Sequence, residues 1–138
     1  MDMRAPYRIL LVEDDNYIAK IIGLGMQMLG FPYTLDQASS AEEGLDLWDA
    51  QSYDIVLTDY NLRGKNGVKM IDELRRQGAA VPMVLFTAYD SPQIRRDAEA
   101  VQVSAFLTKP FLIEEFVGVT RRLLVPREAA VGAVHPAP

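Results

Sequence analysis

The sequence predicts an α/β protein built on one five-stranded, parallel, doubly wound sheet. Short apolar runs start at residues 7, 33, 55, 83 and 105, which leaves room for one crossover helix between successive strands. The segments between these runs repeat their apolar residues with a helical period. The 138-residue length suits a single domain. Because crossovers are right-handed, the favoured strand order is 2-1-3-4-5.

The five runs differ in a way that places them within the sheet. The first, third and fourth are almost continuously apolar, as expected for strands covered on both faces. The second follows Pro32 and is more polar, which is typical of an edge strand. The predicted strands are residues 7–12, 33–37, 55–58, 83–87 and 105–108.

The first three interstrand segments predict amphipathic helices. The first carries an apolar stripe at helical spacing: Ile18, Ile21, Ile22, Gly25 and Leu29. The second begins at Ser40, and Glu43 three residues later completes a capping box. The third ends near Gly78, a residue that takes the left-handed conformation without strain.

The last two predicted helices differ in how much apolar surface they offer to the sheet. Ser91 and Pro92 form a cap followed by proline at the first helical position. The fourth helix has only a thin apolar stripe among its charged residues, so we expect it to dock most weakly. The fifth begins near Ile113 and is predicted to end at Val125. We therefore expect a domain over residues 1–125 and a disordered proline- and alanine-rich tail over 126–138.

Composition excludes several classes of function. The net charge of −5 argues against a sequence-independent grip on nucleic acid. The absence of cysteine excludes disulfides and thiolate metal sites. No apolar run is long enough to span a membrane, and the first residues do not form a signal peptide. We expect a cytoplasmic protein with no direct nucleic-acid partner.

Polar residues collect where the predicted strands end. Glu13 and Asp14 follow the first strand, Asp59 the third, Thr87 ends the fourth, and Lys109 follows the fifth. The carboxyl ends of parallel strands share one edge of the sheet, where ligands bind. Clustered carboxylates repel unless a cation compensates them, and oxygen ligands suit Mg²⁺. With an ammonium group nearby, such a cluster suits phosphoryl transfer to an aspartate.

Four blocks of sequence carry a resemblance to a known family. The blocks are Val12-Glu13-Asp14-Asp15, Leu57-Thr58-Asp59-Tyr60-Asn61-Leu62 with Gly64 and Gly67, Phe86-Thr87-Ala88, and Ala105-Phe106-Leu107-Thr108-Lys109-Pro110-Phe111. Their order and spacing resemble the signature of bacterial response-regulator receiver domains of two-component signalling. The resemblance covers residues 7–125 and implies a flavodoxin-like fold.

The resemblance implies a role for each reacting residue. Asp59 would accept a phosphoryl group from a sensor histidine kinase or a histidine phosphotransferase. Lys109 would pair with that carboxylate and then with a phosphoryl oxygen. The Thr87 hydroxyl would move toward the phosphoryl group and Phe106 would fill the vacated space. This movement would remodel the face formed by the fourth helix, fifth strand and fifth helix for a downstream protein.

The resemblance also implies a metal site and a hydrolysis gate. Asp14 and Asp59 would ligate Mg²⁺ (or Mn²⁺) directly, the backbone carbonyl of Asn61 would add a ligand, and Glu13 would act mostly through water. Asp15 is the less diagnostic third acid, and we expect it to cap the first helix. The side chains of Asn61 and Tyr89 would gate the water that removes the phosphoryl group.

Other positions agree with the family pattern or depart from it. The Lys109–Pro110 peptide stands where the family has a cis bond. Gln102 replaces the usual glycine after the fourth helix, so we expect a different turn or a longer helix there. Ser104 and Ala105 replace a usual acidic pair, which weakens the case for a charged dimer face.

The favoured function is a stand-alone phosphoacceptor switch that catalyses only its own phosphorylation and dephosphorylation and is not otherwise an enzyme. The alternative is a constitutive protein-interaction or dimerisation module with the same fold. An aspartate-based phosphatase is a third class, but Asn61 stands where such an enzyme needs a second aspartate. A homodimer remains open.

Overall fold

The computed structural model describes the backbone of residues 5–133 and the side chains of residues 5–124. Along this part of the chain five strands alternate with five helices. The strands are β1 (Tyr7–Val12), β2 (Tyr33–Ala38), β3 (Ile55–Asp59), β4 (Met83–Thr87) and β5 (Ala105–Thr108). The helices are α1 (Asn16–Met26), α2 (Ala41–Ala50), α3 (Gly67–Arg76), α4 (Pro92–Ala100) and α5 (Ile113–Ala133).

The strands form one parallel sheet in the order β2-β1-β3-β4-β5, which confirms the predicted fold class and topology. Every residue of β3 and β4 is buried, whereas the edge strands β2 and β5 are mostly half-buried or exposed. In register, Val12 pairs with Thr58 and Asp59 pairs with Phe86. The ends of β1, β3 and β4 are therefore adjacent.

Helices cover both faces of the sheet, as the doubly wound topology requires. One core packs α1 and α5 against the sheet, and the other packs α2, α3 and α4 against its opposite face. The first core includes a close approach at Gly25, where a Cβ atom would lie 2.4 Å from Cγ1 of Ile113. Arg121 of α5 also donates to the carbonyls of Met28 and Leu29, which lie in the turn after α1.

The helix starts follow the capping residues. Asp15 caps α1 by accepting hydrogen bonds from the backbone N–H groups of Tyr17 and Ile18. Ser40 and Ser91 cap α2 and α4 in the same way. Within residues 5–133, no helix combines the length and the apolar character needed to cross a bilayer.

The end of α5 differs from the sequence expectation. The helix continues to Ala133, so the predicted end at Val125 is wrong. Residues 127–130 are Arg, Glu, Ala and Ala, all good helix formers, and they continue the helix past Pro126. Residues 134–138 of the predicted tail lie outside the described residues, and the proposed domain boundary stays a prediction.

The corner after α4 also differs from expectation. Gln102 has a φ of 62°, so it takes the left-handed conformation that glycine usually provides, and the expected change of turn is wrong. The backbone N–H of Gln102 donates to Glu99, and that of Val103 donates to Ala98. Arg75 contributes two further hydrogen bonds, to the carbonyls of Val101 and Gln102. These bonds hold the corner in shape despite its strained residue.

Candidate functional site

Three carboxylates meet at the carboxyl edge of the sheet. Glu13, Asp14 and Asp59 each offer an oxygen within 4.8 Å of the others. The Glu13 side chain is fully buried and Asp59 is only 5% exposed, whereas Asp14 is half-buried. Glu13 and Asp14 follow β1, and Asp59 ends β3, so the pairing of these two strands brings the acids together. The structure thus unites three residues that the sequence pattern placed at one site.

Lys109 supplies a cation to this cluster. Its Nζ donates to Oδ2 of Asp59 at 2.7 Å and lies 3.4 Å from Oε1 of Glu13. The Lys109 backbone N–H donates to the carbonyl of Thr87, which ties the end of β5 to the end of β4. The Lys109–Pro110 peptide is cis, as the resemblance implied. The ammonium group is therefore held against the Asp59 carboxylate.

Burial and neighbouring charge shift the proton equilibria of the site. Burial, reinforced by the charge of Asp59, raises the pKa of Glu13 from 4.5 to about 7. Burial alone would lower the pKa of Lys109, but hydrogen bonds and charges from Asp59 and Glu13 outweigh it and raise that pKa. Glu13 is thus harder to ionise than an exposed carboxylate, even with the Lys109 ammonium group nearby.

The loop after β3 orients the Asp59 side chain. The Asn61 backbone N–H donates to Oδ1 of Asp59, while Oδ2 faces Lys109. Gly67 closes the loop by donating to the carbonyl of Tyr60, and a Cβ atom at Gly67 would lie 2.2 Å from the Asp59 backbone oxygen. Position 67 therefore requires glycine. The two carboxylate oxygens of Asp59 have different partners, which fixes the orientation of the side chain.

The donor set fits a hard divalent cation. Three carboxylates within reach of one another are oxygen ligands of the kind that Mg²⁺ prefers. Burial, with the charge of Asp59, makes ionised Glu13 unfavourable. A divalent cation bound here would stabilise the ionised carboxylates. The direct ligand role of the Asn61 carbonyl and the water-mediated role of Glu13 stay predictions.

The predicted switch residues lie in β4, in the loop that follows it and in β5. Thr87 is buried at the end of β4, and its Oγ1 accepts a hydrogen bond from the Tyr89 backbone N–H at 2.9 Å. Tyr89 is 62% exposed. Phe106 is half-buried in β5, and its ring lies beneath the guanidinium group of Arg95.

Sequence reasoning missed two features of the region. The requirement for glycine at position 67 leaves no periodic or capping signal in the sequence. Sequence reasoning also missed the pairing of Asp90 with Arg95, which are five residues apart and span the start of α4. Pro92 marks the start of α4 in the sequence. The Asp90–Arg95 pair could not be predicted from it, because pairs on a helix are three or four residues apart and this one spans five.

The chain is similar to known regulators in sequence. Residues 9–121 match the family described as response regulator receiver domain. The uncharacterized transcriptional regulatory protein YkoG of Bacillus subtilis is 33% identical over 116 residues, which are 84% of this chain and 50% of that protein. The transcriptional regulatory protein CiaR of Streptococcus pneumoniae is 34% identical over 113 residues, which are 78% of this chain and 47% of that protein. The chain thus spans about half the length of these relatives.

Solved structures agree with this match. A CheY-like response regulator receiver domain protein from Methanospirillum hungatei superposes with a TM-score of 0.83, covering 91% of this chain and 99% of that one at 21% identity. The receiver domain of Francisella response regulator 1452 gives a TM-score of 0.78 at 25% identity and covers 88% of this chain and 98% of that one. By its sequence match, and in agreement with its fold, this chain belongs to the response regulator receiver domain family.

Proposed function

We propose that Asp59 is the phosphoacceptor of this receiver domain. The observation that carries the proposal is the position of its carboxylate, which is buried among the acids and hydrogen-bonded to the Lys109 ammonium group at 2.7 Å. A carboxylate held by a cation on one oxygen and a backbone N–H on the other is oriented for attack without extended reorganisation. Family membership supports the same role.

The chemical step follows from these contacts. A carboxylate oxygen of Asp59 attacks the phosphorus of a phosphohistidine, a P–O bond forms, and the P–N bond breaks with its electron pair going to the imidazole nitrogen. Lys109 exchanges its bond with the carboxylate for one with a phosphoryl oxygen. The Thr87 hydroxyl, whose oxygen accepts from the Tyr89 N–H, would donate its proton to a phosphoryl oxygen. Mg²⁺ (or Mn²⁺), held by Asp14, Asp59, the Asn61 carbonyl and, through water, Glu13, would neutralise charge on the phosphoryl oxygens when bound.

Incubation with Mg²⁺ and a small acyl phosphate tests this proposal. Intact mass should rise by one phosphoryl group in the wild type, and a chelator should prevent the rise. Asp59→Asn should abolish it, whereas Asp49→Asn, at an exposed carboxylate of α2, should label like the wild type. Equal labelling of Asp59→Asn and the wild type would refute the assignment.

A histidine kinase or histidine phosphotransferase is the proposed donor, and α1 offers the surface for it. Tyr17, Ile21 and Leu24 are 72%, 40% and 57% exposed, at intervals of four and three residues that match a coiled-coil seam. A groove lined by Ile21, Pro110 and other apolar residues connects this stripe with Lys109. An apolar helix of the donor would pack there beside Asp59.

A phosphotransfer panel of phosphorylated histidine kinases tests the donor surface. Leu24→Asp should slow transfer from the kinase that labels the wild type fastest. Labelling by the small acyl phosphate should stay unchanged, because that donor needs no docking surface. Slowing of both reactions equally would indicate a damaged site and contradict the assignment of the α1 stripe.

Tyr89 is proposed to slow hydrolysis of the aspartyl phosphate, together with the Asn61 side chain. Tyr89 follows Thr87 by two residues and is held to it by its backbone N–H. Its bulky ring would obstruct the attacking water, so Tyr89→Ala should lose the phosphoryl group faster than the wild type. Slower loss would contradict this role.

The remaining expectations rest on family membership. The phosphorylated form would act through a changed surface of α4, β5 and α5 on a downstream protein in the cytoplasm. Among residues 5–133, no observation favours a constitutive module over a phosphorylation switch.

A further inference from the structure

Few apolar contacts hold α4 in place, so its position depends on polar bonds. Ala98 is the one buried residue of its nine-residue span. Ser91 caps the N-terminal end by accepting from the Ile94 N–H, and the carbonyls of Val101 and Gln102 accept from Arg75 just beyond the other end. The polar contacts that α4 makes with its surroundings therefore carry unusual weight.

Arg95 makes the most ordered of these bonds. Its guanidinium donates to both oxygens of Asp90, from Nε to Oδ1 at 2.6 Å and from Nη2 to Oδ2 at 2.8 Å. This two-point contact fixes the plane of the guanidinium group. The Asp90 hydrogen bond raises the pKa of Arg95, and the Arg95 hydrogen bond lowers the pKa of Asp90. The pair is ordered although both side chains are largely exposed.

The fixed guanidinium lies over the ring of Phe106. Its Cζ atom is 4.3 Å from the ring centroid, well within the range of a cation–π contact. Arginine can bind a carboxylate in its plane and stack on an aromatic face at the same time, which lysine cannot do. Phe106 is thus covered by Arg95 in its half-buried position.

Asp90 also connects this contact with the phosphorylation site. The preceding residue, Tyr89, donates its backbone N–H to Oγ1 of Thr87. In the proposed function that hydroxyl moves toward a phosphoryl oxygen and pulls on its bond with the Tyr89 N–H. The loop that carries Asp90 would then shift relative to Arg95, although the Asp90 carboxylate also interacts with Thr108 of β5.

We propose that Arg95, oriented by Asp90, is a positioning residue that stabilises Phe106 in the half-buried position described here and so opposes its inward movement on switching. The inference rests on the proposed function, because it assumes that Phe106 moves inward when Asp59 carries a phosphoryl group. A contact made only in the unswitched state lowers the population of the switched state, and hence the apparent affinity for a phosphoryl group.

Binding of beryllofluoride in saturating Mg²⁺, measured by calorimetry, tests the proposal on the full chain. Beryllofluoride stands in for the phosphoryl group on Asp59. Arg95→Gln should bind it roughly two- to fivefold more tightly than the wild type, the range that one exposed cation–π contact supports. The direction is informative, because removing a positive charge would by itself weaken binding of an anion.

Arg96→Gln is the matched control. Arg96 is the next residue of α4, donates to Gln93 and carries the same charge. This variant should not tighten binding. Asp90→Asn should also tighten binding, and the informative result is the double variant, which should add little to Arg95→Gln because both changes remove one contact, whereas independent charge effects would add. A 4-fluorophenylalanine at position 106 should report the same changes by ¹⁹F NMR as a larger inward population.

Two failures can be told apart. A wild type that neither binds beryllofluoride nor labels at Asp59 overturns the proposed function and this inference with it. If the wild type binds beryllofluoride and labels at Asp59, the proposed function stands. If Arg95→Gln then matches Arg96→Gln in affinity and in the inward population of the Phe106 ring, only the role of Arg95 is overturned.

Discussion

The centre of the sheet and the α4–β5 edge are built from different interactions. Every residue of β3 is buried, and Asp59 at its end is fixed by Lys109 and by the Asn61 N–H. By contrast, α4 buries only Ala98, and β5 has a single buried residue, Leu107. Apolar packing resists displacement, whereas exposed polar bonds exchange with water at small cost. The chemistry thus lies in the rigid region and the proposed response in the loosely held one.

Gly67→Ala should destabilise the rigid region more than any other variant described below. The new Cβ atom would lie 2.2 Å from the Asp59 backbone oxygen, and backbone cannot rotate away as a side chain would. We expect a loss of about 3 kcal/mol in the free energy of unfolding, measured by urea denaturation. Acyl phosphate labelling of Asp59 should fall as well.

Gly118→Ala in α5 is the control for that variant. Nothing lies within 4 Å of the Cβ position at Gly118, so the same substitution meets open space there. Alanine favours a helix interior over glycine by roughly 1 kcal/mol, so this variant should be more stable than the wild type. Equal effects of the two substitutions would show that the loop after β3 yields easily.

The stability of the rigid region should depend on pH through the buried Glu13 carboxyl group. Burial and the charge of Asp59 raise the folded pKa of Glu13 to about 7, above its ordinary 4.5. Between these values the folded state binds more protons than the unfolded state, so stability falls as pH rises. We expect metal-free protein to lose on the order of 2 kcal/mol between pH 4.5 and 7.5, measured by urea unfolding.

Glu13→Gln should remove most of this dependence, because the amide does not titrate. Glu99→Gln, at an exposed carboxylate of α4, should leave it in place. Added Mg²⁺ should restore stability above pH 7, where the carboxylates are charged and need a cation. A flat profile in the wild type would contradict the raised pKa of Glu13.

The two regions were not equally predictable from the sequence. The strands of the centre were predictable because continuous apolar runs bounded by polar residues specify buried parallel strands. The acids and Lys109 followed from that topology, since strand ends share an edge. Periodicity and topology carry this information without any knowledge of side-chain conformation.

The contacts of the loose region leave no periodic signal. Arg75 donates to the carbonyls of Ala79, Val81, Val101 and Gln102, which belong to segments up to 27 residues away. Carbonyl groups occur at every residue, so no sequence pattern marks which ones an arginine will reach. For the same reason the shape of the Gln102 corner was predicted wrongly, although the weak docking of α4 was anticipated from its thin apolar stripe.

Gln102→Gly, just after α4, should have the smallest effect on stability, and it tests whether this corner is strained. Gln102 holds a φ of 62°, where a side chain costs roughly 1–2 kcal/mol relative to glycine, while the greater freedom of glycine in the unfolded chain offsets part of this gain. We expect the free energy of unfolding to rise by about 0.5 kcal/mol in urea denaturation. Gly78, just after α3, has a φ of 96° with open space around its Cβ position, so Gly78→Ala should destabilise by about 1 kcal/mol. If Gln102→Gly lowers stability instead, the glutamine side chain itself stabilises the corner. The corner after α4 would then be no more strained than the glycine corner after α3.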